Sequence, residues 1–169
     1  MADLSGSKTF KNLMDAFAGE SQANRKYLAF AEKADAEGHP QVARLFRAAA
    51  AAETVHAHAH LRVAGGIGST EENLRAAISG ETHEFESMYP QMIVEAKEEG
   101  HSQALRSFAL ANSVEQIHAD LYRRALDQLG SNTVTDYYVC KVCGNTVEGE
   151  PHGPCDVCMA AASAFFKVG

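Results

Sequence analysis

The chain has 169 residues, which is enough for one ordinary domain or for one domain with a small appendage. Hydrophobic residues make up 46% of it, and alanine supplies much of that fraction, which suits closely packed helices better than a sheet. The formal charge of −7 argues against nucleic acid or an anionic membrane as a partner. No stretch approaches the ~20 apolar residues of a membrane span, and nothing at the N-terminus marks the chain for secretion, so we expect a cytoplasmic protein.

Two long helices are predicted in the first part of the chain. Apolar residues at helical spacing predict the first over residues 8–37. Gly38 breaks this helix, and Pro40 is well placed in the first turn of the next. The second helix is expected to end near Ala64, before a pair of glycines.

Two further helices are predicted before residue 130. Ser69-x-x-Glu72 has the pattern of a capping box and opens the third helix, which is expected to reach Glu99. Pro90 lies inside this helix and predicts a kink there. The fourth helix is expected to end near Gly130.

Two Glu-x-x-His motifs lie 62 residues apart, within stretches 37–57 and 99–119 that match at ten of 21 positions. Each motif places a carboxylate and an imidazole on one face of a helix. Two such copies on helices are what a carboxylate-bridged dinuclear metal site in a ferritin-like four-helix bundle requires. The motif residues, proposed as metal ligands, are Glu53, His56, Glu115 and His118.

The first and third helices are each expected to add one carboxylate to this site. The first helix offers Glu20, on an otherwise apolar stripe. The third offers Glu81, Glu84 and Glu86, of which Glu86 is turned roughly 200° from Glu84 and is expected to face elsewhere. Glu81 and Glu84 lie only about 60° apart, so spacing leaves both open.

The composition changes after residue 130. Residues 137–139 favour a strand. The segment that follows them is rich in turn-forming residues and contains all four cysteines. This segment is too short for a hydrophobic core, so a metal is expected to hold it together. We therefore predict a helical di-metal domain over 1–134 and a small metal-bound β and loop domain over 135–169.

The cysteines form two Cys-x-x-Cys pairs separated by eleven residues. Four thiolates from two such turns predict a tetrahedral site for iron or zinc rather than disulfides. Spacing does not separate the two metals. The adjacent oxidase-like bundle favours iron, because a di-iron oxidase needs an electron donor. The predicted ligands are Cys140, Cys143, Cys155 and Cys158.

Together these motifs resemble rubrerythrins across nearly the whole chain. The resemblance covers AFAGESQA at 16–23, both Glu-x-x-His motifs, Gly-Glu-x-x-Glu at 80–84, Met-Tyr-Pro at 88–90 and a rubredoxin-like tail. It implies a non-haem di-iron peroxidase that reduces hydrogen peroxide to water with electrons passed through an Fe(Cys)4 centre. It also implies a reductase or rubredoxin as electron donor and a head-to-tail homodimer.

The resemblance also bears on individual residues. It favours Glu84 over Glu81 as the ligand from the third helix, and it places Tyr27 where the family has a tyrosine near the metals. Many relatives carry a further glutamate three residues after the one that matches Glu84, and this chain has Ser87 there. A site with only four carboxylates is therefore expected, and it should favour two ferrous ions.

Two other functions remain open from the sequence. The bundle can be a ferroxidase or an oxidase that consumes O2. Alternatively, the chain can be a metal-binding protein without enzymatic activity, with a zinc-ribbon tail that contacts a partner. A visible spectrum that identifies the metal in the four-cysteine site distinguishes these functions best, because an Fe(Cys)4 centre is red and a zinc site is colourless.

Overall fold

The computed structural model describes residues 4–169 of the chain. These residues form two compact units that divide after Gly68. The first unit contains two helices, and the second contains the remaining helices and the cysteine-bearing tail. The domain boundary predicted after residue 134 falls inside the second unit and stays a prediction.

The first unit is a pair of helices joined by a short turn. Helix α1 spans Lys8–Ala36 and helix α2 spans Pro40–Val63, with Pro40 in the first turn as predicted. The turn depends on Gly38, whose φ of +81° is one that residues with a side chain rarely adopt. The helices meet through small side chains that let their backbones approach closely, namely Ala31, Ala34, Ala43, Ala50 and Ala57.

The second unit begins with a helix that is interrupted once. Helix α3 spans Thr70–His83, and the predicted capping box of Ser69 and Glu72 is present at its start. A π-helical segment, Glu84–Met88, leads into helix α4, Tyr89–Glu98. Helix α5 spans Ser102–Asp127, and both α3 and α4 pack against it.

The π-helical segment lies directly before Pro90, where the sequence predicts a kink. Proline has no N–H group, so the carbonyl four residues before it loses its usual donor. In the turn before the proline, the N–H of Tyr89 donates to the carbonyl of Glu84, five residues back. Such widened turns occur often at functional sites, and this one begins at a predicted metal ligand.

The tail forms a small antiparallel sheet. Strands β1 (Tyr137–Cys140), β2 (Thr146–Glu148) and β3 (Phe165–Val168) pair in the order β2-β1-β3. The strand predicted from the β-prone residues is β1, the central strand. The fold class is confirmed as mainly helical with a small C-terminal strand region that bears the four cysteines. None of the helices within residues 4–169 combines the length and the apolar character that a membrane crossing needs.

Candidate metal centres

The first unit contains one group of predicted metal ligands. Glu20 of α1 lies with Glu53 and His56 of α2, and one ligand atom from each residue lies within 4.8 Å of the others. The Glu53 carboxylate is 2.9 Å from Nδ1 of His56. Two carboxylates and an imidazole are donors that suit iron. We call these three residues the first carboxylate–histidine set.

A hydrogen-bonded asparagine holds the two helices together beside this set. The Nδ2 of Asn24 donates to the carbonyl of Ala50 at 2.6 Å and to Oγ1 of Thr54 at 2.8 Å. Asn24 lies one turn after Glu20, and Thr54 directly follows Glu53. This contact therefore fixes the register in which the carboxylates of α1 and α2 come together.

Tyr27 lies farther along α1, in an aromatic group. Its ring centroid is 6.3 Å from that of Phe30 and 6.1 Å from that of Phe46. The side chain is partly buried. These contacts fix the position of the ring, and its expected role near the metals stays a prediction.

The second unit contains a matching group. Glu81 of α3 lies with Glu115 and His118 of α5, again with one ligand atom of each within 4.8 Å of the others. Nδ1 of His118 is 2.8 Å from Glu115 and 3.8 Å from Glu81. The three side chains are between 16% and 26% exposed. We call them the second carboxylate–histidine set.

The electrostatics of the second set indicate a site for a cation. Burial, followed by the charge of Glu115 and a hydrogen bond to it, raises the pKa of Glu81 to about 7. Burial and Glu115 also raise the pKa of Glu84. Carboxylates brought together in this way need either protons or positive charge between them. A donor set of carboxylates and imidazole, held in this way, fits iron.

Of the two glutamates that spacing left open, Glu81 and not Glu84 belongs to the group whose ligand atoms lie within 4.8 Å of one another. Glu84, which the family resemblance favours, is the first residue of the π-helical segment, and its charge acts on Glu81. Glu81 and Glu84 therefore both contribute to the electrostatics around Glu115. The expected count of four carboxylates left Glu81 out. A site that used both Glu81 and Glu84 would have five carboxylates, although position 87 is a serine.

Tyr89, a residue that no motif assigned to the site, also lies near the second set. Burial raises the pKa of Tyr89, and the charges of Glu115, Glu84 and Glu81 raise it further. Its hydroxyl therefore holds its proton firmly among carboxylates. The only sequence signal was its place in the Met-Tyr-Pro motif.

The four predicted cysteines come together in the tail. Sγ of Cys140 is 3.7 Å from that of Cys158, and Sγ of Cys143 is 3.6 Å from that of Cys155. All four sulfur atoms lie within 4.8 Å of one another, as a tetrahedral S4 site requires. Cys140 and Cys155 are each only 1% exposed. This geometry fits an Fe(Cys)4 centre.

Hydrogen-bond donors surround the sulfur atoms. Burial raises the pKa of the Cys155 thiol, but the backbone N–H groups of Cys158 and Val157 and the side chain of Asn145 lower it more, to about 6. Nδ2 of Asn145 lies 3.5 Å from Sγ of Cys155, and the residue is 2% exposed. The donors therefore stabilise the thiolate of Cys155, which is the form that binds metal. Spacing gave no signal for Asn145.

The tail contacts helix α5 directly beside the second set. Nε2 of His118 lies 3.0 Å from Oγ1 of Thr146, the first residue of β2. Near the end of α5, Arg124 donates to Glu148 at 2.9 Å. The four-cysteine site and the second carboxylate–histidine set are thus neighbours within one unit.

Known proteins with similar sequences identify the family. The family model for rubrerythrin matches residues 11–126. The chain belongs to the rubrerythrin family. It is 36% identical to rubrerythrin-2 of Clostridium acetobutylicum, with 90% of this chain and 92% of that protein covered. It is 34% identical to nigerythrin of Nitratidesulfovibrio vulgaris, with 93% and 85% covered.

A solved structure of fully reduced, all-ferrous nigerythrin also matches. Its TM-score is 0.59 at 32% identity, and the match covers 97% of this chain and 88% of that one. The rubrerythrin family carries a di-iron site, and the Glu/His sets and four cysteines described above fit a di-iron site and an Fe(Cys)4 centre. Membership of this family indicates that the chain is a metal-dependent redox protein.

Proposed function

We propose that this protein is a non-haem di-iron peroxidase that reduces hydrogen peroxide to water. Two electrons and two protons convert one peroxide molecule into two water molecules, and the electrons are relayed through the Fe(Cys)4 centre. The observation that carries the proposal is the contact between His118 and Thr146. Through this contact the four-cysteine tail lies beside a carboxylate–histidine set within one compact unit, which supports a relay of electrons between them.

The proposed iron ligands come from both carboxylate–histidine sets. They are the six predicted residues together with Glu81, namely Glu20, Glu53, His56, Glu81, Glu84, Glu115 and His118. A di-iron centre, when bound, supplies electrons for cleavage of the O–O bond. The carboxylates balance the charge of the ions, and each histidine gives one nitrogen ligand.

Tyr89 is proposed to assist as a hydrogen-bond donor. Its raised pKa keeps the proton on Oη at neutral pH, so that the hydroxyl donates rather than adds a further negative charge. Tyr27 of α1 is proposed for a similar role near the first set, on the strength of the family resemblance.

A stopped-flow experiment tests the proposal. Reduced protein is mixed with hydrogen peroxide, and the return of the red absorption of oxidised Fe(Cys)4 is followed. We expect the wild type to reoxidise rapidly, and Glu53→Ala or His118→Ala to slow reoxidation at least tenfold. His58→Ala is the matched control, because this exposed histidine of α2 lies outside both sets.

The outcomes separate peroxidase activity from the other readings. If Glu53→Ala and His118→Ala reoxidise as fast as the wild type, peroxide reacts elsewhere and the proposal is wrong. Faster turnover with O2 than with peroxide supports the oxidase or ferroxidase reading. A colourless protein that binds zinc in the tail supports a metal-binding protein without this activity.

The electron source and the assembly form part of the same proposal. A rubredoxin or a reductase is the proposed donor to the Fe(Cys)4 centre, and a homodimer in the cytoplasm is the proposed form of the protein. The family resemblance supports the donor and the dimer. Light scattering of the purified protein measures the oligomeric state.

A further inference from the structure

The hydroxyl of Thr146 lies between two groups of different hydrogen-bonding character. Oγ1 is 3.2 Å from the carbonyl oxygen of Gly144 and 3.0 Å from Nε2 of His118. A threonine hydroxyl has a single proton, and a carbonyl oxygen can only accept. The hydroxyl therefore donates to Gly144, and its oxygen accepts from the Nε2–H of His118.

This arrangement leaves the other ring nitrogen of His118 available as a ligand. In a neutral imidazole that carries its proton on Nε2, Nδ1 presents a lone pair. That lone pair lies 2.8 Å from the Glu115 carboxylate and 3.8 Å from that of Glu81. Nδ1 and a carboxylate oxygen at this distance need a proton or a metal ion between them. The Thr146 contact thus selects the tautomer that a metal needs.

The two carboxylate–histidine sets differ in this respect. Nδ1 of His56 is 2.9 Å from Glu53, which matches the contact of His118 with Glu115. The His56 side chain is 55% exposed, against 26% for His118. Within residues 4–169 no second hydrogen bond to the ring of His56 corresponds to the one from Thr146. Among the described residues, His118 therefore has a partner at each ring nitrogen, whereas His56 has one at Nδ1.

We propose that Thr146 is a positioning residue for the metal bound by His118. Through Oγ1 it holds the imidazole with Nε2 protonated and Nδ1 free to bind the ion, as partners of metal-bound histidines commonly do. The inference rests on the proposed function, because it takes His118 as an iron ligand. It adds a residue of the tail to the support of the carboxylate–histidine set.

The contact also ties this histidine to the four-cysteine site. Gly144 directly follows the ligand Cys143, and its N–H donates to the carbonyl of Cys140 at 2.8 Å. Its φ of +85° belongs to the turn that presents the sulfur atoms. The Gly144 carbonyl, which accepts the hydrogen bond from Thr146, therefore belongs to the same turn that carries the ligands Cys140 and Cys143.

Replacement of the hydroxyl group tests the role of Thr146. Thr146→Val removes the hydroxyl and keeps the shape of the side chain, whereas Thr146→Ser keeps the hydroxyl. The control is Thr135→Val, which changes an exposed threonine just before β1. The full-length chain carries zinc in the four-cysteine site, and Co(II) is titrated into the remaining sites by its visible absorption. We expect Thr146→Val to weaken Co(II) binding at one site by about 10- to 100-fold. Thr146→Ser and Thr135→Val should stay within about threefold of the wild type.

A second readout reports the tautomer without any enzymatic activity. In protein loaded with zinc at all sites, long-range ¹H–¹⁵N NMR identifies the metal-bound nitrogen of His118. We expect Nδ1 to carry the metal and a slowly exchanging proton on Nε2 in the wild type. In Thr146→Val this proton should exchange at least tenfold faster, whereas Thr146→Ser should restore it.

Each result decides between the two proposals. Equal Co(II) affinity and equal Nε2 exchange in wild type and Thr146→Val reject the role of Thr146 and leave the proposed ligand set standing. A wild type that binds no Co(II) outside the cysteine site rejects the ligand set and this inference together. Loss of binding in Thr146→Ser as well as in Thr146→Val shows that packing, not the hydroxyl, is responsible, and also overturns the inference.

Discussion

Glu81 should make the metal-free protein less stable as the pH rises. Its pKa is about 7 in the folded chain against an ordinary value of 4.5, because burial and Glu115 disfavour its charged form. A group whose pKa is raised on folding binds more protons in the folded state than in the unfolded state. Folding stability is therefore lost as the pH rises from about 4.5 through 7, and no further change from this group follows above that range.

The size of the effect follows from the pKa difference. At about 1.4 kcal/mol per pH unit, a rise from 4.5 to about 7 corresponds to about 3 kcal/mol. The side chain is 20% exposed, and solvent screening reduces the effect to about 2 kcal/mol. For a chain of this length, that difference lowers the melting temperature by about 4–8 °C.

Glu81→Gln isolates this contribution. Urea denaturation is carried out on protein with zinc in the four-cysteine site and with metal removed from the other sites by a chelator. At pH 8 we expect Glu81→Gln to be more stable than the wild type by about 2 kcal/mol, because no buried charge remains. At pH 4.5 the two free energies of unfolding should be equal. The exposed Glu86, changed to Gln, is the control, and its profile should follow that of the wild type.

Bound iron should reverse which protein, wild type or Glu81→Gln, has the larger free energy of unfolding at pH 8. Glu81 as a ligand gains from the cation, so the wild type should become more stable than Glu81→Gln when iron is bound. If the free energies of wild type and Glu81→Gln run parallel from pH 4.5 to pH 8 in the metal-free state, Glu81 faces solvent, and the reasoning about the second set is refuted.

Three further predictions concern the tail and the helix start. Asn145→Ala removes the donor to Cys155 and should lower the reduction potential of the Fe(Cys)4 centre, as a redox titration measures; an unchanged potential would show that this hydrogen bond has no influence. Gly144→Ala should cost about 1–2 kcal/mol in urea denaturation, because φ is +85°; a neutral change would mean that the turn relaxes. Ser69→Ala should cost about 1 kcal/mol through loss of the capping box, and Glu72→Ala should cost a comparable amount.

The ends of the helices and the ligand motifs could be predicted from the sequence because local rules determine them. Pro40, the capping box of Ser69 and the spacing of the cysteines each act within a few residues of the chain. The duplicated Glu-x-x-His motif likewise needs only the helical repeat to bring carboxylate and imidazole onto one face. These features led to the fold class and to the family without any information on tertiary contacts.

The choice of partners for these motifs depended on the tertiary structure. Glu81 and Glu84 lie on nearly the same side of a helix, so only the packing of α3 on α5 brings Glu81 within 4.8 Å of Glu115 and His118. Pro90 predicted a disruption of the helix, whereas the π-helical segment Glu84–Met88 directly before it was seen only in the structure.

The contact of Thr146 with His118 is the clearest example of a feature that the sequence could not predict. It lies 28 residues from His118 along the chain, and no periodicity or spacing rule connects a strand of the tail with a helix face. The sequence by itself determined which residue types bind metal and on which elements they lie. Only the tertiary structure decided which hydroxyl contacts which histidine, because a hydrogen bond between distant segments exists only after packing has brought them together.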